Sequence, residues 1–222
     1  LIENIGELAT PLGSTARSGA AMRQLRIVRD AVVAVDVETI AWAGPASELP
    51  RLEGPPPARL DARGRAVVPG FVDSHTHFVF GGYREDEFFW RAEGLPYMEI
   101  HARGGGIANS VRDTRAASAE ELTAAAAARL ERMLELGVTT VEGKSGYGLD
   151  LETELRQLEV MRLLDSRQPV DIVSTYMGPH SVPAEFKGNP SGYIDFVLRE
   201  VMPRVKEGGL ARFCDVFCER GV

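Results

Sequence analysis

The chain has 222 residues, of which 44% are hydrophobic and 26% are charged, with a formal net charge of −7. This much apolar material is enough for a core, so the composition indicates a globular protein. The acidic charge and the scattered arginines argue against a nucleic-acid partner, and no apolar run approaches the roughly 20 residues that cross a membrane.

The first 66 residues are predicted to form a small β-rich segment. Short apolar runs at 25–28, 31–35 and 39–43 are separated by turn residues, and Gly54-Pro55-Pro56-Pro57 interrupts the segment further on. No helical periodicity of useful length accompanies them. We therefore expect short strands and a proline-rich surface loop, with a domain boundary between residues 66 and 67.

From Val67 onward, strands and helices are predicted to alternate. Ser118 and Glu121 form a capping box at the start of an alanine-rich helix that ends at Gly137. Further helices are expected at 151–164 and 192–206, and further strands at 138–142, 170–176 and 213–217. This alternation predicts parallel β/α units.

Polar residues follow the predicted strands, which favours a (β/α)8 TIM-like barrel with its site at the strand ends. A doubly wound open sheet is the competing fold, but it usually has a phosphate-binding glycine turn directly after its first strand. About four strands are visible, whereas such a barrel typically needs about 250 residues. We interpret residues 67–222 as the first half of a barrel and expect the chain to stop within that fold.

The strongest chemical signal is the pair His75 and His77, which stands at the end of an apolar run and is followed by Gly81-Gly82. Residues two apart on a strand share one face, so both imidazoles can reach one ion. Exposed strand histidines without any metal are the ordinary alternative. The polar setting of this strand end favours a metal site.

Cys214 and Cys218 are the only cysteines. Their spacing within an apolar segment predicts two reduced, buried side chains that act as small hydrophobic groups. This usage indicates a cytoplasmic protein, and the first residues show no secretion signal.

Several segments together resemble the imidazolonepropionase family of the amidohydrolase superfamily. They are PGFVDSHTHFVFGGYREDEF at 69–88, GGGIANSVRDTR at 104–115, GVTTVEGKSGYGLDLETEL at 137–155, Gly178-Pro179-His180 and DVFCERGV at 215–222. The REDEF and KSGYGL segments are specific to the family, whereas the whole superfamily shares the His-x-His pair. Residues 1–66 would then contribute to a composite β-sandwich.

The resemblance implies hydrolysis of the ring C–N bond of 4-imidazolone-5-propanoate, which gives N-formimidoyl-L-glutamate in histidine degradation. It implies one metal ion, zinc or iron, with His75 and His77 as ligands and a further His and Asp from later strands. Since catalytic metals normally have three or more protein ligands, we expect residues 1–222 alone to be inactive. A homodimer is compatible with the resemblance.

The resemblance also implies three substrate contacts. Arg84 matches the arginine that binds substrate, and a guanidinium suits a propionate carboxylate; an ion pair with Glu85 or Asp86 is the alternative. Tyr147 matches a substrate-contacting tyrosine, although an aromatic residue in a glycine turn can also cover a core. His180 matches a substrate-contacting histidine that could act in catalysis by hydrogen bonding to the imidazolone oxygen.

Other candidates carry less weight. Lys144 could be a metal-bridging carbamylated lysine, but that lysine belongs to a fourth barrel strand, and Lys144 ends the second. Glu219 ends the fourth predicted strand, where a structural role is favoured over a metal role, and His101 is assigned no chemistry. Two other functions stay open: a related deaminase or cyclic-amide hydrolase, which would not need Arg84, and a non-catalytic fragment without metal.

Overall fold

The computed structural model describes residues 1–96, 99–100 and 103–218. The chain divides into two compact units, Leu1–Pro69 and Gly70–Val222. The division falls slightly after the expected residue 66, because Ala66–Val67 forms a short strand that pairs with the first strand of the chain.

The first unit contains the strands Ile2–Pro11 (β1), Leu25–Asp36 (β2), Thr39–Pro45 (β3), Leu60–Asp61 (β4) and Ala66–Val67 (β5), with 3-10 turns at Gly19–Arg23 and Ala46–Glu48. The strands form one five-stranded sheet in the order β3-β2-β1-β4, with β5 also paired to β1. The long strands β1, β2 and β3 are antiparallel, whereas the short strands β4 and β5 run parallel to β1. Ile5, Leu8, Ala31 and Val33 form the buried core of this unit.

Strand β1 was not among the predicted strands of this β-rich segment. Its pairing with β2 shifts register between Ile2 and Ile5, and Asn4 in between has a positive φ of 54°. A bulge of this kind breaks the apolar–polar alternation by which a strand is recognised in a sequence.

The second unit contains the strands Phe71–Thr76 (β6), Val138–Lys144 (β7), Asp171–Tyr176 (β8) and Phe213–Cys214 (β9). They form a four-stranded sheet in the order β6-β7-β8-β9, with all neighbours parallel. Its helices are Glu85–Ala92 (α1), Ile107–Ala116 (α2), Ala119–Glu135 (α3), Leu151–Asp165 (α4), Pro190–Phe196 (α5) and Met202–Glu207 (α6), with short turns at Gly178–His180, Ala184–Phe186 and Val197–Val201.

Sequential parallel strands joined by helices are the arrangement of a (β/α) barrel, and doubly wound sheets reverse their strand order instead. The predicted fold class, the first part of a (β/α)8 barrel after a small β segment, is therefore confirmed. The core of this unit lies where α3, α4 and the helices after β8 pack on the sheet, and it includes Leu130, Val141, Leu158, Tyr176 and Val201.

The helix predicted at 192–206 is interrupted in the structure. A π-helical turn at Val197–Val201 separates α5 from α6, and Pro203 stands in the first turn of α6. Proline has no N–H to donate to the preceding turn, so the regular hydrogen-bond pattern changes there.

The expected burial of the two cysteines is wrong. Cys214 and Cys218 are free and exposed rather than buried, because β9 has only two residues and, within the described part of the chain, pairs only with β8. Strand β6 pairs only with β7 among the described strands, and its apolar residues Phe71 and Val72 are exposed.

No helix among the described residues has the length and apolar character needed to cross a bilayer.

The predicted capping box at the start of α3 is confirmed. The backbone N–H of Glu121 donates to Ser118 Oγ at 3.1 Å, and the N–H of Ser118 donates to Glu121 Oε2 at 2.8 Å. We expect Ser118→Ala to lower the free energy of unfolding by about 0.5–2 kcal/mol, since an orphan helix N–H loses its partner. Urea unfolding of the variant checks this, and an unchanged transition midpoint would contradict it.

Candidate active site

The structure brings four of the sequence-predicted site residues together at the ends of three neighbouring strands. His75 lies near the end of β6, His77 follows that strand, Tyr147 lies in the turn after β7, and His180 lies in the turn after β8. His77 is central. Its ring centroid lies 6.0 Å from that of His75 in an edge contact, and it stacks on Tyr147 at 4.7 Å and on His180 at 5.8 Å.

Glycine makes the close approach of these rings possible. Gly146, which precedes Tyr147, has a φ of +112°, and a Cβ there would lie 2.8 Å from Cε1 of His180. Any larger residue would therefore be strained and would also push His180 away from the cluster. The glycine turn predicted after β7 thus lets two strand-end turns meet.

The turn that carries Tyr147 is anchored to the start of α4. The N–H of Tyr147 donates to Gln157 Oε1 at 3.3 Å, and the N–H groups of Gly148 and Leu149 donate to Glu154 Oε1 at 2.9 and 2.8 Å. Gln157 in turn donates to the carbonyl of Val79, two residues after His77, at 2.7 Å. The turns after β6 and β7 are therefore fixed to one helix.

The electrostatic setting of His77 favours a neutral ring. Burial lowers the pKa of His77 to about 4, and the nearby His180 and His75 lower it in the same direction. Burial likewise lowers the pKa of His180. Both imidazoles are therefore uncharged at neutral pH, which is the form that binds a metal ion or donates a hydrogen bond without carrying charge.

The residues present fit part of a metal site. Nδ1 of His77 is buried and has no hydrogen-bond partner among the described residues, so one ring nitrogen is left for a ligand. The backbone N–H of His75 donates to Asp73 Oδ1 at 3.2 Å, which restrains that residue of the pair. No group of three or more His, Cys, Asp or Glu side chains suited to a metal ion occurs in the described ranges.

Arg84 lies outside the ring cluster. It precedes α1, and its Nε lies 3.9 Å from Oε1 of the buried Glu87. The alternative ion pair expected with Glu85 or Asp86 thus forms with Glu87 instead. Glu87 also accepts a hydrogen bond from the N–H of Gly106 at 2.5 Å and lies 3.8 Å from Nη2 of Arg91.

The buried ammonium of Lys144 is held by two partly exposed carboxylates, Glu142 and Asp215. Nζ of Lys144 donates to Asp215 Oδ2 at 2.7 Å and to Glu142 Oε1 at 2.9 Å, and Thr175 donates to the same Glu142 oxygen at 2.7 Å. Burial lowers the pKa of Lys144, but these hydrogen bonds outweigh it and raise the pKa above its usual value. A carbamate forms on a neutral amine, so this setting argues against a carbamylated Lys144.

Asp215 was missed in the sequence, although it follows directly on β9. Its carboxylate is held by the Lys144 ammonium, which lowers the pKa of Asp215, and His75 contributes in the same direction. The predicted strand at 213–217 runs past Asp215, whereas β9 ends at Cys214, so the sequence places the strand end, and with it Glu219, too far along the chain. Glu219 and His101 lie outside the described residues.

Glu154 is a fully buried carboxyl group that supports the Tyr147 turn. Burial raises the pKa of Glu154 above its ordinary value of 4.5, although the N–H groups of Leu149 and Gly148 oppose this. The folded protein therefore keeps a proton that the unfolded chain releases above pH 4.5, so stability is full below that pH and falls as pH rises through the native pKa.

Glutamine at position 154 would copy the protonated carboxyl group and keep the acceptor oxygen. We expect Glu154→Gln to lose less stability than the native protein between pH 5 and pH 8. Urea unfolding of both proteins at the two pH values measures this. An equal decrease in both would show that Glu154 is ionised in the folded protein.

A cavity of about 980 Å³ lies beside the ring cluster, between α2 and the segment after His180. Leu149 and Ser181, neighbours of the two strand-end turns, line it, but none of the four ring residues does. It offers space for a small molecule next to the site, while the groups that carry the chemistry lie outside it.

No family model matches the chain, but curated relatives match all of it. It is 48% identical over 223 residues to imidazolonepropionase of Parabacteroides distasonis, an alignment that covers 100% of this chain and 54% of the relative. It is 50% identical to imidazolonepropionase of Porphyromonas gingivalis, over 100% of this chain and 53% of the relative. The chain spans about half the length of the curated relatives that it matches.

Among solved structures, guanine deaminase of E. coli superposes with a TM-score of 0.52 at 15% identity, over 89% of this chain and 43% of that one. This likeness shows the fold alone. The chain thus combines the first part of a (β/α) barrel with a histidine pair at the end of the first barrel strand. With about half of its residues identical to those of the named relatives, the chain belongs, over the stretch that it spans, to the imidazolonepropionase family, as its sequence motifs indicated.

Proposed function

We propose that the whole protein, at the length of its relatives, hydrolyses 4-imidazolone-5-propanoate to N-formimidoyl-L-glutamate in histidine degradation. The observation that carries this is the convergence of His75, His77, Tyr147 and His180 at the ends of three parallel strands. The name that the relatives carry supports the substrate. We further propose a cytoplasmic enzyme, with a homodimer as the assembly to test.

His75 and His77 are the proposed protein ligands of one zinc or iron ion, together with a His and an Asp that the family resemblance implies from later strands. When bound, an ion of this kind would lower the pKa of a water molecule to near neutral and would polarise the ring carbonyl of the substrate. The low pKa of His77 keeps its ring available as a ligand at neutral pH. Residues 1–222 alone, with this incomplete ligand set, are expected to be inactive.

The other residues bind and orient the substrate. In this proposal Arg84 pairs with the propionate carboxylate, which requires its guanidinium to leave the long 3.9 Å contact with Glu87. Tyr147 and His180 stack on His77. An imidazolone ring bound beside His77 would therefore contact the phenol of Tyr147 and an imidazole N–H of His180. His180 donates to the imidazolone oxygen, whose negative charge grows as water adds to the carbonyl carbon.

The reaction consumes one water molecule. Its oxygen adds to the ring carbonyl carbon, the C–N bond breaks, and the released ring nitrogen takes a proton while the carbonyl carbon becomes a carboxylate. The test is to incubate the purified whole protein with imidazolone propionate and to identify the product. N-formimidoyl-L-glutamate supports the proposal, and an unchanged substrate would refute it.

The main alternative is a deaminase or cyclic-amide hydrolase of the same superfamily. Such an enzyme would use the histidine pair but would not need Arg84 for a propionate group. Turnover of a cyclic amide without a carboxylate, at a rate that Arg84→Ala leaves unchanged, would favour it. Absence of both metal and metal-dependent turnover in the whole protein would favour a non-catalytic role.

A further inference from the structure

Arg129 on α3 reaches the backbone of the segment that leads from His77 toward Arg84. Its Nη1 donates to the carbonyl oxygens of Phe78 and Phe80, each at 2.9 Å. Its guanidinium also lies over the ring of Phe80, with Cζ 3.6 Å from the centroid, and 5.1 Å from the centroid of Tyr83. One half-buried side chain thus makes four contacts with three loop residues, Phe78, Phe80 and Tyr83.

This loop contacts the ring cluster directly. Phe80 packs edge-on against Tyr147 with centroids 6.1 Å apart, and Tyr83 packs edge-on against Phe80 at 5.8 Å. Arg84 follows Tyr83 in the chain. A shift of the loop would therefore move Phe80 away from Tyr147 and would displace Arg84 at the same time.

Arginine suits this position for a specific physical reason. Its planar guanidinium can donate to two carbonyl oxygens while its face rests on an aromatic ring. A lysine ammonium keeps the charge and can still reach a carbonyl oxygen, but it cannot stack in the same way. Methionine fills similar space without any donor. Replacement by lysine therefore tests whether charge and a hydrogen-bond donor are enough, and replacement by methionine tests whether packing alone is enough.

We propose that Arg129 is a positioning residue for substrate binding, which acts through Phe80 on Tyr147 and through the same loop on Arg84. This inference rests on the proposed function. The contacts that the structure describes for Arg129 are with this loop, so its loss is expected to act on placement rather than on chemistry. The expected effect is therefore mainly on KM.

The test compares kcat and KM of the whole protein for imidazolone propionate. We expect Arg129→Met to raise KM about tenfold or more with a smaller change in kcat, because a displacement on the order of 1 Å in a substrate-positioning group is costly. Arg129→Lys should recover part of the loss. Arg132→Met is the matched control, since Arg132 lies on the same helix, is exposed and pairs only with Glu135 among the described contacts.

A double-mutant cycle identifies the route of the effect. If Arg129 acts through Tyr147, Arg129→Met should raise KM less in a Tyr147→Phe background than in the native protein. A variant that keeps Arg129, Phe80→Leu, should also raise KM, and it serves as the test if Arg129→Met does not fold.

The outcomes separate this inference from the proposed function. A native protein that does not turn over imidazolone propionate refutes the function. Normal native turnover with an unchanged KM in Arg129→Met refutes the positioning role. An equal KM increase in both backgrounds without recovery by lysine would assign Arg129 a general structural role and overturn the inference, as would an unchanged KM in Phe80→Leu.

Discussion

His77→Ala in the whole protein is expected to lose its metal and to lower kcat/KM by more than about 100-fold. Outer-shell partners of a metal ligand alone contribute about 10–100-fold, and His77 is itself a proposed ligand. It is also the ring on which Tyr147 and His180 stack. The measurement is metal content per protein by elemental analysis, with turnover recorded on the same sample.

His180→Ala is the matched control for this prediction. It removes a second imidazole that stacks on His77 at 5.8 Å, but not a proposed ligand, so the metal should remain while turnover falls. If His77→Ala retained a full complement of metal, or if His180→Ala lost it, the assignment of roles within the cluster would be wrong.

Arg84→Ala is expected to raise KM for imidazolone propionate by about 10–100-fold, with a smaller change in kcat. A hydrogen bond to a charged group contributes about 1.5–3 kcal/mol, and a factor of ten corresponds to about 1.4 kcal/mol. The loss should appear in KM because the carboxylate is equally charged before and during the reaction. Steady-state kinetics at saturating and limiting substrate measure both parameters.

Arg91→Ala is the control that the structure itself offers. Arg84 and Arg91 both approach the buried Glu87, at 3.9 and 3.8 Å, so removal of either guanidinium takes one positive charge from Glu87. If Arg84 binds substrate, only Arg84→Ala should raise KM. Equal effects of the two substitutions would show that Arg84 acts through its ion pair with Glu87 alone.

Much of the fold could be predicted because local signals agreed with the tertiary structure. The Ser118 capping box and the terminal Gly137 marked α3, and leucines at helical spacing marked α4. The apolar pattern of the sequence failed to predict elements where the backbone departs from regular geometry. The register shift in β1 obscured its alternation, and the π-helical turn before Pro203 is not evident from the apolar pattern of residues 192–206.

The ring cluster could be predicted as a set of residues but not as an arrangement. Strand ends that meet at one edge explain why His75, His77, Tyr147 and His180 converge, but the central place of His77 depends on ring orientations that no spacing specifies. Motif resemblance singled out residues with known roles in a family. It therefore gave no weight to Asp215, whose partners come from a distant strand.

Arg129 could not be predicted for a related reason. Its hydrogen bonds join a helix to a loop 49 or more residues away in the chain, and an arginine on an alanine-rich helix is usually a solvated side chain. The exposure of Cys214 and Cys218 also depended on the tertiary arrangement, since an apolar segment is buried only where another element covers it.

In the proposed mechanism, the histidine pair at the end of β6 holds the ion on which hydrolysis of the imidazolone ring depends. This dependence can be measured by removing metal from the purified whole protein with a chelator, adding back zinc or iron in steps, and recording imidazolone propionate turnover at each metal content. We predict that turnover is lost with the metal and returns in proportion to it, reaching its maximum near one ion per chain. Turnover that persists in the metal-free protein would show that hydrolysis does not depend on an ion held by this histidine pair.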